Sequence, residues 1–220
     1  MDGKVVTELG TRIDPEKNQV TFDGHPVALS EGHTYLMLNK PPGFLTTLSD
    51  PYGRPTIKDL IKGQVRKRVY PVGRLDRDSQ GLLLLTDDGE LSHRLLHPRY
   101  KVSKKYMVTV QGHPSRDVIK RMEKGVEIAP GQVTQPCKVR QVGKRKRQAI
   151  FEIVLKEGRK RQIRYMFRAM GYRVDRLVRT EMGPLRLGDL ESGRVRSLTP
   201  QEVSALRQAA GLDSEKALAH

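Results

Sequence analysis

The stretch Tyr70-Pro71-Val72-Gly73-Arg74-Leu75-Asp76-Arg77-Asp78-Ser79-Gln80-Gly81-Leu82-Leu83-Leu84-Leu85-Thr86-Asp87-Asp88-Gly89 sets the frame for the whole chain. Gly81 to Thr86 is a short apolar run bounded by turn residues, the pattern of a buried strand. Asp88-Gly89 then opens a short helix with Leu91, Leu95 and Leu96 at helical spacing. Ahead of the strand, two carboxylates and two arginines crowd one loop. As turn residues, Asp76 and Asp78 would accept backbone N–H groups. As chemistry, one carboxylate held against an arginine and shielded from water would serve as nucleophile or general base.

Upstream, Tyr35 to Leu38 reads as a strand that Asn39-Lys40-Pro41-Pro42-Gly43 must stop. Ser30 to His33 is a polar joint, so residues 1–29 form one segment and residues 30–220 a domain. Within the first, Lys4-Val5-Val6 and Gln19 to Phe22 read as short strands broken by Asp14-Pro15 and Asp23-Gly24 turns. Downstream, Lys105 to Gln111 alternates like a half-buried strand with Tyr106, Val108 and Val110 on one face. Pro114-Ser115 starts a helix ending near Gly125, Ala149 to Leu155 is a strand, and Arg161 to Met170 is a helix stopped by Gly171. Thr199-Pro200-Gln201-Glu202 is a capping box that launches a last helix ending at Gly211. Strands and helices mix without regular alternation, which predicts an α+β fold with a largely antiparallel sheet.

Composition narrows the function. The 220 residues carry 41 Lys and Arg against 25 Asp and Glu, a formal charge of +16. Such an excess points to a polyanionic partner. It is concentrated in Arg66-Lys67-Arg68, Lys144 to Arg147 and Arg159-Lys160-Arg161, each flanked by patterned apolar sequence. No apolar run approaches the roughly 20 residues of a membrane-spanning helix, and Met1 to Gly10 lacks the apolar core of a secretory signal. One cysteine, Cys137, excludes an internal disulfide and a multi-cysteine zinc site, and a cytoplasmic setting is the expectation. Phosphate-loop, dinucleotide, zinc-protease and nucleophile-elbow motifs are missing. His93 and His97 share helical spacing but read as a polar face, since no nearby cysteine completes a ligand set. No cofactor and no metal are implied.

Two further segments bear on chemistry. On a helix, Arg161, Arg164 and Arg168 form a ridge opposite Ile163, Met166, Phe167 and Met170. Such guanidinium groups suit both an RNA backbone and a buried aspartate, and taken alone the ridge reads equally as a solvated basic face. Lys104-Lys105-Tyr106 opens a strand, where by itself the tyrosine reads as an ordinary strand residue, and with the two lysines as an aromatic that stacks on an unpaired base while the lysines take phosphates.

Together these segments resemble the RsuA/RluB type of ribosomal RNA pseudouridine synthase. Asn39-Lys40-Pro41-Pro42-Gly43 is similar to the family's first motif, and Gly73-Arg74-Leu75-Asp76 with Ser79-Gln80-Gly81-Leu82-Leu83 to its catalytic motif. Lys104-Lys105-Tyr106 resembles the tyrosine motif, Glu157-Gly158-Arg159 through Gln162-Ile163-Arg164 the third, and Leu177-Val178-Arg179 with Met182-Gly183-Pro184-Leu185 the closing one. The resemblance runs from about Gly3 to Gly211 in the family's order. It implies that Asp76 is the nucleophile that detaches a uracil from C1′ and rejoins it through C5, without cofactor or metal. It also implies that Arg164 pairs with Asp76, that Tyr106 stacks on a flipped-out base and helps move the C5 proton, and that Leu177 packs beneath the base. Lys40, Arg74, Lys104, Lys105, Arg159, Lys160, Arg161 and Arg168 are the expected RNA contacts, with ribosomal RNA or a pre-ribosomal particle as partner and no obligatory protein partner or dimer. Large-subunit 23S RNA is the expected substrate, with small-subunit 16S RNA and a non-catalytic assembly factor as alternatives. Two departures stand out. Residues 1–29 look like the β unit of an S4 RNA-binding domain without its preceding helices, implying a shortened S4 domain, and Tyr165 stands where an arginine often follows the Ile-Arg pair.

Overall fold

The computed structural model describes residues 1–8, 11, 18–26, 32–65 and 67–212. Its backbone divides into two units, Met1–His33 and Thr34–His220. In the first unit, β1 (Thr21–Phe22) and β2 (His25–Pro26) pair antiparallel. Asp23 and Gly24 between them both have positive φ, as a two-residue hairpin turn requires. The expected strand at Lys4-Val5-Val6 does not form. Val5 and Val6 are exposed, and a strand that buries no apolar face has little to hold it. The Asp14-Pro15 turn lies outside the described residues.

The second unit runs β3 (Tyr35–Lys40), α1 (Ile57–Ile61), β4 (Tyr70–Pro71), β5 (Gln80–Thr86), α2 (Gly89–Leu96) and β6 (Lys104–Gln111). It continues with α3 (Arg116–Lys124), β7 (Glu127–Ala129), β8 (Gln132–Val133), β9 (Lys138–Arg145), β10 (Gln148–Leu155), α4 (Gln162–Ala169) and β11 (Val174–Met182). β12 (Leu185–Arg186), β13 (Val195–Ser197) and α5 (Pro200–Ala209) complete it. The main sheet has the order β13-β3-β5-β11-β6-β10-β9, with β4 on β5 and β12 on β11. Every pairing in it is antiparallel except β5 with β11. The architecture is the expected α+β one.

The unbroken apolar run of β5 follows from cover on both faces. Leu82 and Leu84 pack with Met37, with Leu91 and Leu95 of α2, and with Leu206 of α5. Leu83 and Leu85 turn the other way, against Leu36, Leu38 and the α1 residues Ile57 and Ile61. A third cluster sets Ala149, Phe151 and Ile153 of the alternating β10 against Ile163, Met166 and Phe167 of α4. The helix starts are capped by the residues the spacing predicts. Asp88 accepts from Leu91 N, Ser115 from Val118 N, and Thr199 from Glu202 N within a full capping box. Among the described residues no helix is long and apolar enough to cross a membrane.

Candidate active site

The site is built on the loop Gly73 to Ser79 that enters β5, and its backbone is held from three sides. Lys40, at the end of β3, is wholly buried. Its Nζ donates to the carbonyl oxygens of Ser79 (2.9 Å), Pro41 (3.0 Å), Asp76 (3.2 Å) and Arg77 (3.4 Å). Burial pulls this ammonium down to about 8, against the opposing charges of Asp78 and Asp76. Gly43 N donates to Arg77 O at 2.7 Å and receives Arg77 Nε on its own carbonyl at 3.1 Å. Thr46 Oγ1 donates to Leu75 O and accepts from Leu75 N, the double contact a paired strand residue would make. Lys40 is therefore not an RNA contact. A fully buried ammonium saturated by carbonyls cannot reach a phosphate, and it acts by fixing the loop.

Gly81, the second residue of β5, lies where β5 meets β11. It sits at φ +102, and a Cβ there would overlap Arg179 O, so only glycine lets the two strands close. The parallel contact spans two residue pairs, Val178 with Gln80 and Arg179 with Gly81. This brings Asp76 against the face of β6 and β11. There Leu177 opposes Val108 and Arg179 opposes Tyr106, which puts all four side chains on one face. A cavity of about 710 Å³ opens over that face. Asp76, Arg74, Lys104, Tyr106, Leu177 and Arg179 line it, with Arg159, Lys160 and Arg161 at its edge.

The carboxylate and guanidinium network differs from the expected one. Arg164 does not pair with Asp76; it bonds Asp78 Oδ2, Asp78 O and Val174 O, each at 3.2 Å. Among the described residues the cation in ion-pair range of the candidate nucleophile is Arg161, with Nη1 at 3.8 Å from Asp76 Oδ2, while it grips both oxygens of Asp78 at 3.2 Å. The reason is local. Arg161 is the N-cap of α4 and takes a left-handed backbone, φ 53, so the predicted helical ridge begins one residue late and Arg161 turns toward the loop. For Asp78, burial acts to raise the carboxyl, and the Arg161 hydrogen bond with the Arg164 and Arg161 charges outweighs it, leaving the group below its ordinary value.

Other expected contacts sort by exposure. Arg74, Lys160 and Arg168 are exposed, and Arg159 is exposed with Nε on Glu157 at 3.0 Å. Lys105 lies on the opposite face of β6 from Tyr106, paired with Glu181 at 3.1 Å and Glu152 at 3.7 Å. Lys104 is buried inside the cavity wall. Neither lysine is the surface phosphate contact expected, because strand alternation turns one inward and one onto carboxylates.

With this geometry in place, comparison with known proteins is decisive. The model of the RNA pseudouridylate synthase family matches residues 34–169. The chain belongs to that family. An uncharacterized RNA pseudouridine synthase of Mycobacterium leprae is 43% identical over 217 residues, spanning 96% of this chain and 83% of the relative. Ribosomal large subunit pseudouridine synthase B of Bacillus subtilis is 40% identical over 212 residues, spanning 96% and 85%. A crystal structure of a pseudouridylate synthase superposes with a TM-score of 0.74 at 30% identity, covering 93% of this chain and 86% of that one. An archaeal box H/ACA Nop10-Cbf5 complex, at 18% identity and a TM-score of 0.53 over 71% and 50% of the two chains, shares the fold alone. The protein is an RNA pseudouridine synthase of the RsuA/RluB type, an isomerase.

Sequence alone gives no role in this synthase's cavity to Arg179 or Thr46, and it leaves the role of Asp78 open. Arg179 is quoted within a motif but carries no role there, since nothing in one strand says that its guanidinium lies buried in a cavity. Thr46 sits in an unpatterned loop and becomes visible only through its pairing with Leu75. Asp78 is conspicuous in sequence, yet only the fold makes it the anchor of Arg161 and Arg164.

Proposed function

We propose that this synthase converts a uridine of large-subunit ribosomal RNA to pseudouridine, with Asp76 as the nucleophile. The observation that carries the reading is the convergence of Asp76, Tyr106 and Leu177 on one cavity, with the Arg161 guanidinium 3.8 Å from the carboxylate. Relatives named ribosomal large subunit pseudouridine synthase B, from Bacillus subtilis and Pasteurella multocida, support the choice of subunit.

The chemistry follows from charge movement. A uridine leaves its stack, at a cost of a few kcal/mol that is least in loops and bulges. Its ring lies between Tyr106 and Leu177. An Asp76 oxygen bonds to C1′ as the C1′–N1 bond breaks, and the bonding pair leaves with uracil, so the negative charge passes from the carboxylate to the base. The base turns, C5 bonds to C1′ and the carboxylate is released. The C5 proton is lost, with Tyr106 placed to assist, and N1 gains one, so the isomer balances without a co-reactant. Arg161 stands beside the Asp76 carboxylate, and Arg164 acts through Asp78 by fixing the same cluster. The exposed runs Lys144 to Arg147 and Arg159-Lys160 supply cationic surface for the RNA backbone.

Pseudouridine mapping by carbodiimide labelling and reverse transcription, on ribosomal RNA from cells with and without the gene, tests the reading. One stop in 23S RNA should vanish in the deletion, return with the wild-type gene and stay absent with Asp76→Asn, whose RNA affinity should remain within a few fold. A stop lost from 16S RNA would redirect the substrate, and an Asp76→Asn protein that restores the modification would overturn the nucleophile.

A further inference from the structure

The cavity contains a charge arrangement that its carboxylate chemistry leaves unused. Lys104 and Arg179 are 8% and 2% exposed, and both line the cavity that holds Asp76 and Tyr106. Lys104 precedes Tyr106 by two residues on β6, and Arg179 on the neighbouring β11 is the register partner of Tyr106, so the two cations and the tyrosine share one face. Among the described residues neither cation makes a salt bridge. Lys104 Nζ donates only to Val102 O, at 3.3 Å. Arg179 Nε donates to Leu82 O at 2.8 Å, and its Nη2 is buried with no partner at all. The other acid lining the cavity, Glu157, is committed to Arg159, Gln162 and the Gln135 amide.

Two buried like charges without a counterion are costly, and an orphaned guanidinium N–H beside a substrate cavity marks a place where an acceptor belongs. Burial lowers the Lys104 ammonium below its ordinary value, and the Arg179 charge lowers it further, so the pair repels itself when the cavity holds no anion. An anchor for the strands would account for Arg179 Nε, since β5 and β11 stay paired over only two residues. It does not account for Nη2 or for Lys104.

We propose that Lys104 and Arg179 form a receptor for the anionic oxygen of the detached uracil. This rests on the reading given under Proposed function, in which breaking C1′–N1 moves one negative charge from Asp76 to the base. The charge develops only during reaction, so donors already fixed and desolvated at that place stabilise the transition state more than bound uridine. The surface runs around residues 144–147 and 159–160 serve the phosphates. A pair buried beneath the stacking tyrosine serves the base.

The test uses the full chain and ribosomal RNA from cells lacking the gene, with enzyme in excess. Lys104→Met should lower the rate at saturating enzyme by about 10²–10³-fold, the loss seen when one oxyanion donor is removed, with RNA affinity unchanged. Lys104→Arg should recover most of it. On RNA transcribed with 5-fluorouridine, whose fluorine stabilises the base anion and stays on C5 because no proton is there to lose, the rate of forming the C5-linked product is read instead, and the Lys104→Met loss in that rate should shrink at least about tenfold, because less is asked of the cation. An equal loss on both RNAs, no loss, or weakened binding with an unchanged saturating rate would overturn the proposal, the last outcome marking a phosphate contact. A second measurement needs no variant: ¹⁹F NMR of free 5-fluorouracil bound to the wild-type protein should show the base ionising at lower pH than in water, and ionisation at the free value overturns the receptor. Wild-type protein that forms no pseudouridine would instead remove the reading on which the proposal rests.

Discussion

Replacing Lys40 by methionine keeps the apolar stem and removes the ammonium, so it isolates the clamp on the loop that carries Asp76. Four carbonyls lose a charged donor, of which Ser79 O lies in the buried interior and the others are part-buried. A charge-assisted bond is worth about 1.5–3 kcal/mol when buried, and counting the part-buried ones at a third gives about 3–6 kcal/mol. The low end corresponds to a Tm lower by about 6–12 °C for a chain of this size. Pseudouridine formation should fall with it, because the Asp76 carbonyl is one of the acceptors. The pH dependence has a definite sign. The fold pulls this lysine from 10.5 to about 8, so between those values the unfolded chain holds a proton that the folded chain has released. The group's share of stability is level below about pH 8 and rises across the window, and the gap between wild type and variant should widen from about pH 7 to about pH 9.5. Urea unfolding at both pH values, with the pseudouridine assay at neutral pH, measures this. A variant within about 1 kcal/mol of wild type that keeps its rate, or a gap that narrows at alkaline pH, would refute the clamp.

Gly81→Ala should destabilise the fold by about 3 kcal/mol or more, since its Cβ would overlap Arg179 O, lie 2.8 Å from Arg179 N and demand φ +102 of an alanine; a soluble variant with wild-type Tm would overturn the close approach of β5 and β11. Asp78→Asn should change neutral-pH stability by no more than about 1 kcal/mol, because the Asp78 side chain is 49% exposed in its pairs with Arg161 and Arg164. Its carboxyl lies below the ordinary value in the fold, so the stability it adds is present at neutral pH and lost on acidification; unfolding from about pH 6 to about pH 3 should show the wild type losing more than the variant. RNA affinity should fall steeply with salt, in keeping with a charge of +16, and log-log plots from filter binding should flatten when Lys144 to Arg147 are neutralised; an unchanged slope would place the RNA elsewhere.

Periodicity made β5, β6, β10 and all of the longer helices legible, because each buries one continuous face or run and carries its own cap or stop. No periodicity marks β11, the strand that completes the site. Val174 to Met182 interleaves charge with apolar residues and is interrupted by register shifts beside Val174 and Arg179, so no alternation survives to mark it. β9 was hidden for a related reason, since Lys138 to Arg145 has a single buried residue, Val139.

For this protein the linear sequence alone determined the α+β class, the polyanionic partner and the ordered motifs that mark Asp76 and Tyr106. These depend on local spacing and composition, which neighbouring residues carry in full. Tertiary structure alone decided which arginine stands beside Asp76, why Lys40 faces carbonyls instead of RNA, and that Lys104 and Arg179 are buried together without a counterion. Those outcomes turn on a left-handed residue at the start of α4 and on strands far apart in sequence packed at contact distance. Side-chain electrostatics depends on such distances and on burial, and neither is written in the order of residues along one strand.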